Sequence, residues 1–352
     1  MIYGHGGDIY TYQDMLDFSV NVNPLGTPER VITAAKRGVE SAAVYPDSRC
    51  GRLREKLAGK QNLPEESYIF GNGAADIIYT LVLAEKPKRA LIPVPAFSEY
   101  EQALECAGCE IKYCYTKENN CFCIDSDFLK ELKKDVDIVF LCSPVNPSGH
   151  RLDKQLMKQA ADICEENGIR LVVDECFVEF LQETEKYSMI DNVKKYRQLF
   201  ILRAFTKIYA MAGLRLGYGI SSDCGLLERM ERASQPWSVS VPAQEAGIAA
   251  LDEDMYVENA RNLIVKERDY LERELKKMGI KFVSSDVNFI LLYTRINLFD
   301  KMRNHGILIR NCENYRGLGR GWYRVAVRTH EENFCLINAL KGAAGDRTEV
   351  TG

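Results

Sequence analysis

Short apolar runs alternate along the first two thirds of this chain with stretches whose apolar positions recur every three or four residues. The short runs at Ala90–Pro93, Glu110–Tyr115, Ile138–Cys142, Arg170–Asp174 and Leu199–Arg203 read as strands, and Gly213 to Tyr218 leads into another. Helical periodicity marks residues 28–40, Arg52–Lys60, Ala74–Leu83 and Asp153–Asn167, the last closed by Gly168. Strands alternating with helices predict an α/β fold with a mostly parallel central sheet covered on both faces. Beyond Pro236 the rhythm changes. A helical stretch runs from Val241 to Met278 with a break near Asp252–Asp254. Strands at Ile280–Val283, Phe289–Tyr293 and Tyr323–Val327 then surround a helix at Leu298–His305. That pattern predicts a second, smaller α+β domain. The expected division is an arm at 1–44 belonging to the small domain, a large domain at 45–240, a small domain at 241–342 and a frayed tail at 343–352.

Composition narrows the classes. A net charge of −4 argues against a nucleic-acid surface, which needs clustered Lys and Arg. No apolar run is long enough to cross a bilayer, and the first ten residues lack the basic-then-apolar order of a secretory signal. The expectation is a cytoplasmic enzyme. Cys106 and Cys109 have CxxC spacing, but no histidine or second pair completes a ligand set, so no metal is expected and the twelve cysteines read as reduced thiols.

Several segments converge on one chemistry. The turn Gly71–Asn–Gly73–Ala74–Ala75 precedes a helix, where free backbone N–H groups and the positive dipole end suit a phosphate. Asp174 ends an apolar strand, the place where parallel sheets present ligand contacts. Lys207 follows the next strand, and Arg215 stands eight residues later. A partly desolvated lysine beside another cation has a lowered pKa and attacks carbonyl carbon. Together these are a phosphate cradle, an acid for a ring nitrogen and an amine for an aldehyde.

The segment Arg203–Ala–Phe–Thr206–Lys207–Ile–Tyr–Ala–Met–Ala–Gly–Leu–Arg215–Leu–Gly–Tyr218 closely resembles the lysine signature of class I/II aminotransferases. Val173–Asp174–Glu175 resembles their aspartate motif, and Ser143–Pro–Val–Asn146–Pro–Ser–Gly149 their asparagine motif. The resemblance implies the fold-type I architecture of pyridoxal 5'-phosphate-dependent transferases. It assigns Lys207 to the cofactor aldehyde, Asp174 to the ring nitrogen and Asn146 to the ring hydroxyl. Phe97, in Pro95–Ala–Phe97, is matched to the ring face, with Thr206 and Arg215 matched to the phosphate. Tyr45, in Tyr45–Pro46–Asp47, is matched to a tyrosine that crosses to the neighbouring subunit's phosphate, which implies a homodimer. Arg324, in Tyr323–Arg–Val–Ala–Val, matches an arginine that clamps a substrate carboxylate. Two positions depart from the pattern: Ala204 stands where a Ser or Thr phosphate ligand is usual, and Phe177 where a Tyr is usual.

Within that family, the opening Gly4–His5–Gly6–Gly7, the stretch Asp17 to Gly26, Gln235–Pro–Trp–Ser–Val239 and Ala326–Val–Arg328–Thr resemble the threonine-phosphate decarboxylases of cobalamin biosynthesis. Their close relatives are the histidinol-phosphate aminotransferases. The resemblance implies a small phosphorylated amino-acid substrate, with His5, Gly6, Asn23, Arg324 and Arg328 as its binding residues.

Overall fold

The computed structural model describes residues 4–345. Its thirteen strands, in chain order, are β1 (Leu16–Asp17), β2 (Tyr68–Gly71), β3 (Arg89–Val94), β4 (Glu110–Tyr115), β5 (Ile138–Cys142), β6 (Arg170–Asp174), β7 (Leu199–Ala204), β8 (Gly217–Ile220), β9 (Lys281–Val283), β10 (Phe289–Tyr293), β11 (Ile307–Leu308), β12 (Arg310–Asn311) and β13 (Trp322–Ala326). Seven of them form one sheet in the order β2-β8-β7-β6-β5-β3-β4. Only β8 runs against its neighbours. The other pairings are parallel, as the near-continuous apolar strands predict.

The central strands β5, β6 and β7 are buried along their whole length. The helix Lys154–Asn167 contributes Met157, Ala160, Ala161 and Cys164 to the core on one face of the sheet. Its Asp153 side chain caps the first turn at Leu156, and Gly168 ends it in the left-handed conformation. The other face is covered by the helices Ala74–Glu85, Ser98–Cys106 and Cys224–Ala233. The second and third of these have no counterpart in the sequence expectations, and neither does β2.

A smaller antiparallel sheet, β12-β13-β10-β9, carries its own core with Leu292, Val325 and Leu336. Only the first part of the expected 1–44 arm joins this unit: β1 pairs with β11, Phe18 is fully buried in the same core, and the Phe18 carbonyl accepts the Ala326 N–H, whereas Val31 of the helix Glu29–Glu40 packs into the large core. The break at Asp252–Asp254 separates the helices Val241–Ala250 and Asp254–Lys277. The latter gives Val257, Ala260 and Ile264 to the large core and Leu271 and Leu275 to the small one. Packing therefore changes partners inside this helix, not at the expected 240/241 boundary. The expected tail needs a similar correction. The last helix runs His330–Gly345 with Ala343 fully buried against the small core, and residues 346–352 lie outside the described residues.

Where β6 meets β7, the buried Glu175 accepts from Arg203 Nη2 at 2.8 Å, from Ser188 Oγ at 2.8 Å and from the Met189 N–H at 2.6 Å. Removing one partner of such a pair leaves an uncompensated charge out of water. Glu175→Ala is expected to cost about 3–5 kcal/mol, read as a lower urea denaturation midpoint, with Arg203 the orphaned group.

Candidate active site

The parallel strands end on one side of the large sheet, and their carboxyl ends deliver the reactive side chains. Asp174 is the last residue of β6. Lys207 lies in the short helix Phe205–Ile208 that follows β7, Asn146 follows β5, and Phe97 follows β3. Because β8 is antiparallel, its start brings Arg215 to the same side, next to the turn after β2. These residues line one cavity of about 330 Å³, which Arg310 and Arg324 of the small sheet also line.

Burial, then Arg324, and also Arg215, disfavour the charged amine of Lys207, and its pKa falls to about 8. At neutral pH roughly a tenth of such amines are uncharged, against on the order of one in 3,000 for a solvated lysine. The Lys207 ammonium nitrogen stands 5.7 Å from the centre of the Phe177 ring. Asp174 is buried; Tyr100 donates its hydroxyl to Oδ2 and the Cys176 N–H donates to Oδ1 at 2.9 Å. Burial pushes the Asp174 carboxyl up, and the hydrogen bonds from Cys176 and Tyr100 oppose that. A carboxylate so placed is stabilised by a cation from the cavity side.

One end of the cavity suits a phosphate. No side chain caps the helix Ala74–Glu85, and Ala74, Ala75, Thr206 and Arg215 all line the space. Gly73 has φ +85°, and a Cβ there would fall 2.5 Å from Arg215 Nη2, so only glycine lets the guanidinium lie against the turn. At the opposite end Arg324 donates to Asn146 Oδ1 and, at 3.1 Å, to the Ser19 carbonyl. The buried Nε of Arg324 and Oδ1 of Asn21 have no partner. Anion donors, a carboxylate on the wall, an amine of lowered pKa and unpartnered polar atoms fit a phosphorylated heteroaromatic aldehyde.

Lys207, Asp174, Asn146, Phe97, Thr206, Arg215, Ala74, Ala75, His5, Gly6 and Arg324 therefore share one cavity. Two expected substrate ligands do not. Asn23 is buried one layer behind: its Nδ2 donates to the Ile208 carbonyl at 2.7 Å and its N–H to the Lys207 carbonyl at 3.1 Å, which braces the lysine turn. Arg328 donates to the Asp17 carbonyl at 2.9 Å and to Glu332 at 2.6 Å, tying the arm to the last helix. Their places in the cavity are taken by Asn21 and by Arg310, which sits directly across from Arg324 in the β12–β13 register. Glu99 and Tyr315 also line the cavity without having been expected. Tyr45 does not line this chain's cavity; it is 75 % exposed and stacks on Trp237 with ring centres 4.5 Å apart. All twelve cysteines are free, and among the described residues no cluster of three or more metal-ligating side chains occurs. No helix among those residues is long and apolar enough to cross a membrane.

The fold and this lysine-centred cavity define a pyridoxal-phosphate-dependent enzyme of fold type I, and the family model for aminotransferase class I and II matches residues 13–340. The chain belongs to that family, whose membership implies pyridoxal phosphate as cofactor. It is 37 % identical over 97 % of its length, and 94 % of the relative's, to a Caldanaerobacter subterraneus protein provisionally named a threonine-phosphate decarboxylase. It is 34 % identical to the threonine-phosphate decarboxylase of Salmonella typhimurium, over 96 % of this chain and 95 % of that one. Among solved structures, the histidinol-phosphate aminotransferase of Clostridium acetobutylicum superimposes with a TM-score of 0.88 at 32 % identity, covering 94 % of this chain and all of that one.

The lowered pKa of Lys207 gives a pH dependence. Only the neutral amine attacks an aldehyde, so capture of pyridoxal phosphate by the apo-protein is expected to speed up with pH and level off above about 8. Arg324→Met removes a repelling charge, raises the pKa and moves that midpoint to higher pH. Lys207→Ala is expected to acquire no lysine-dependent visible band. Stopped-flow absorbance reads all three.

Proposed function

We propose that this chain decarboxylates L-threonine O-3-phosphate to (R)-1-aminopropan-2-ol O-phosphate, a step of cobalamin biosynthesis. The observation that carries the reading is the pair of buried arginines, Arg310 and Arg324, set opposite each other on adjacent strands and both lining the cavity of Lys207. A phosphorylated amino acid has two anionic groups, a carboxylate and a phosphate; Arg324 keeps an unpartnered Nε for one, and Arg310, whose Nη groups are held by the Gly4, Asn311 and Asn314 oxygens, adds positive charge for the other. Histidinol phosphate has only one, but the 2-oxoglutarate consumed in its transamination has two, so the arginine pair supports a doubly anionic substrate and the choice of reaction leans on the relatives. The relatives named threonine-phosphate decarboxylase support the same choice.

Lys207 would hold the cofactor through its aldehyde, Asp174 would face the ring nitrogen, Asn146 the ring hydroxyl and Phe97 the ring face. Thr206, Arg215 and the N–H groups of Ala74 and Ala75 would hold its phosphate. When bound, pyridoxal phosphate supplies an electron sink for the pair left at the substrate's α-carbon. The chain's own part is placement. Arg324 takes the carboxylate while Arg310 and His5 take the phosphate, so the substrate is fixed at both ends and its rotation about the α-carbon is frozen. Asp174, ionised by pairing with a protonated ring nitrogen, keeps positive charge where electrons must flow. Lys207, with a pKa near neutrality, is the group able to return a proton to the α-carbon after carbon dioxide leaves.

Tyr45 reaches the phosphate site of a second copy in this reading, a role supported by its exposure beside Trp237. Twelve free thiols suit a reducing compartment, so the cytoplasm is the proposed location. Transamination of histidinol phosphate is the second reading, favoured by the likeness to the Clostridium acetobutylicum enzyme. One paired assay separates them. Carbon dioxide release from O-phospho-L-threonine, without need of 2-oxoglutarate, is the expected result. Amino transfer from histidinol phosphate to 2-oxoglutarate with no carbon dioxide release would replace the decarboxylase reading with the aminotransferase one.

A further inference from the structure

Glu99 is a second acid, besides Asp174, in a cavity that also holds Arg215, Arg310 and Arg324. It occupies the first turn of the helix Ser98–Cys106, two residues past Phe97, and lines the same space as Lys207, Arg310 and Arg324. Its side chain is only 11 % exposed, and burial is the largest influence on its carboxyl, pushing the pKa up. A bare carboxylate here would repel the phosphate that the cavity is proposed to receive. Its partners explain its presence. Oε2 accepts from Ser98 Oγ at 3.1 Å, and Oε1 lies 3.2 Å from Nε2 of His5.

The backbone around His5 is fixed on both sides. The Gly4 carbonyl accepts from Arg310 Nη2 and, at 3.2 Å, from Asn314 Nδ2, while the Gly7 N–H donates to Ser19 Oγ at 2.7 Å. Between them Gly6 lies so flat on the arm that a Cβ would fall 2.3 Å from the Ser19 carbonyl oxygen. With the main chain held, the direction of the imidazole is the remaining freedom, and the Glu99 carboxylate limits it. With Nε2 directed at Glu99, the ring has Nδ1 left for a second partner.

We propose that Glu99 is a positioning residue for substrate recognition: it orients His5 so that the imidazole presents its other nitrogen to the substrate's phosphate. The role rests on the phosphorylated substrate proposed above. Glu99 thereby contributes to selecting phosphorylated over unphosphorylated amines without touching the phosphate.

The test uses binding, not turnover. Dissociation constants of (R)-1-aminopropan-2-ol O-phosphate and of (R)-1-aminopropan-2-ol, which differ only in the phosphate, are measured by calorimetry on the cofactor-loaded protein. The wild type is expected to prefer the phosphorylated amine by about a hundredfold, and His5→Ala and Glu99→Gln each to lose about tenfold of that preference. The double variant is expected to lose no more than His5→Ala alone, because both changes remove one interaction. Affinity for the unphosphorylated amine stays at the wild-type value, which also shows that the variants are folded. Glu99→Asp, with its carboxylate drawn back by one methylene, is expected to lose preference in the same direction. Wild-type indifference to the phosphate would sink the substrate reading, and the role of Glu99 with it. A wild-type preference that Glu99→Gln leaves intact, a loss that strikes both ligands alike, or losses that add would overturn the role of Glu99 alone.

Discussion

An amine held out of water among guanidinium groups is the constraint on which this molecule turns. Lys207 sits at the end of β7 because the strand is buried throughout and the chain must turn where the sheet stops. Burial alone would favour the neutral form, and Arg324 and Arg215 press further in the same direction. One of those cations belongs to the large sheet's rim and the other to the small sheet. The reactivity of the lysine is therefore a property of the two units together, and neither sheet alone creates it.

The cavity handles negative charge at two ends by different means. At the proposed phosphate end the donors would include main-chain N–H groups at a helix start, with Gly73 making room for Arg215. At the other end they are side chains, Arg310 and Arg324, fixed by strand register. Backbone donors accept little variation. Side-chain donors on a small sheet change with single substitutions, which places chemical selectivity at the small-sheet end of the cavity.

Much of the large sheet was legible because its strands are short, apolar and bounded by turn residues. The lysine, aspartate and asparagine segments were legible because each lies where a parallel strand ends. The helices Ser98–Cys106 and Cys224–Ala233 were not: both are short, and Ser98–Cys106 has only two buried apolar side chains besides its Cys and Ala positions. Glu99 was missed for that reason. Asn23 and Asn21 are two residues apart in one polar stretch, and only tertiary packing decides which one braces the Lys207 turn and which one faces the cavity. Arg328 and Arg310 pose the same problem. Both are arginines at the edge of the small sheet, and register, invisible in one dimension, sets Arg310 opposite Arg324. The change in residue pattern at Pro236 is a local signal, whereas the change of core along Asp254–Lys277 is decided by tertiary contacts.

That helix, Asp254–Lys277, has a mechanical consequence. Its 24 residues span about 36 Å, rooted in one core and ending in the other. Over that length, a change of direction of about five degrees at the root corresponds to about 3 Å at the far end. That distance is comparable to a hydrogen-bond length, so the placing of Arg310 and Arg324 over the cavity depends on the straightness of one helix.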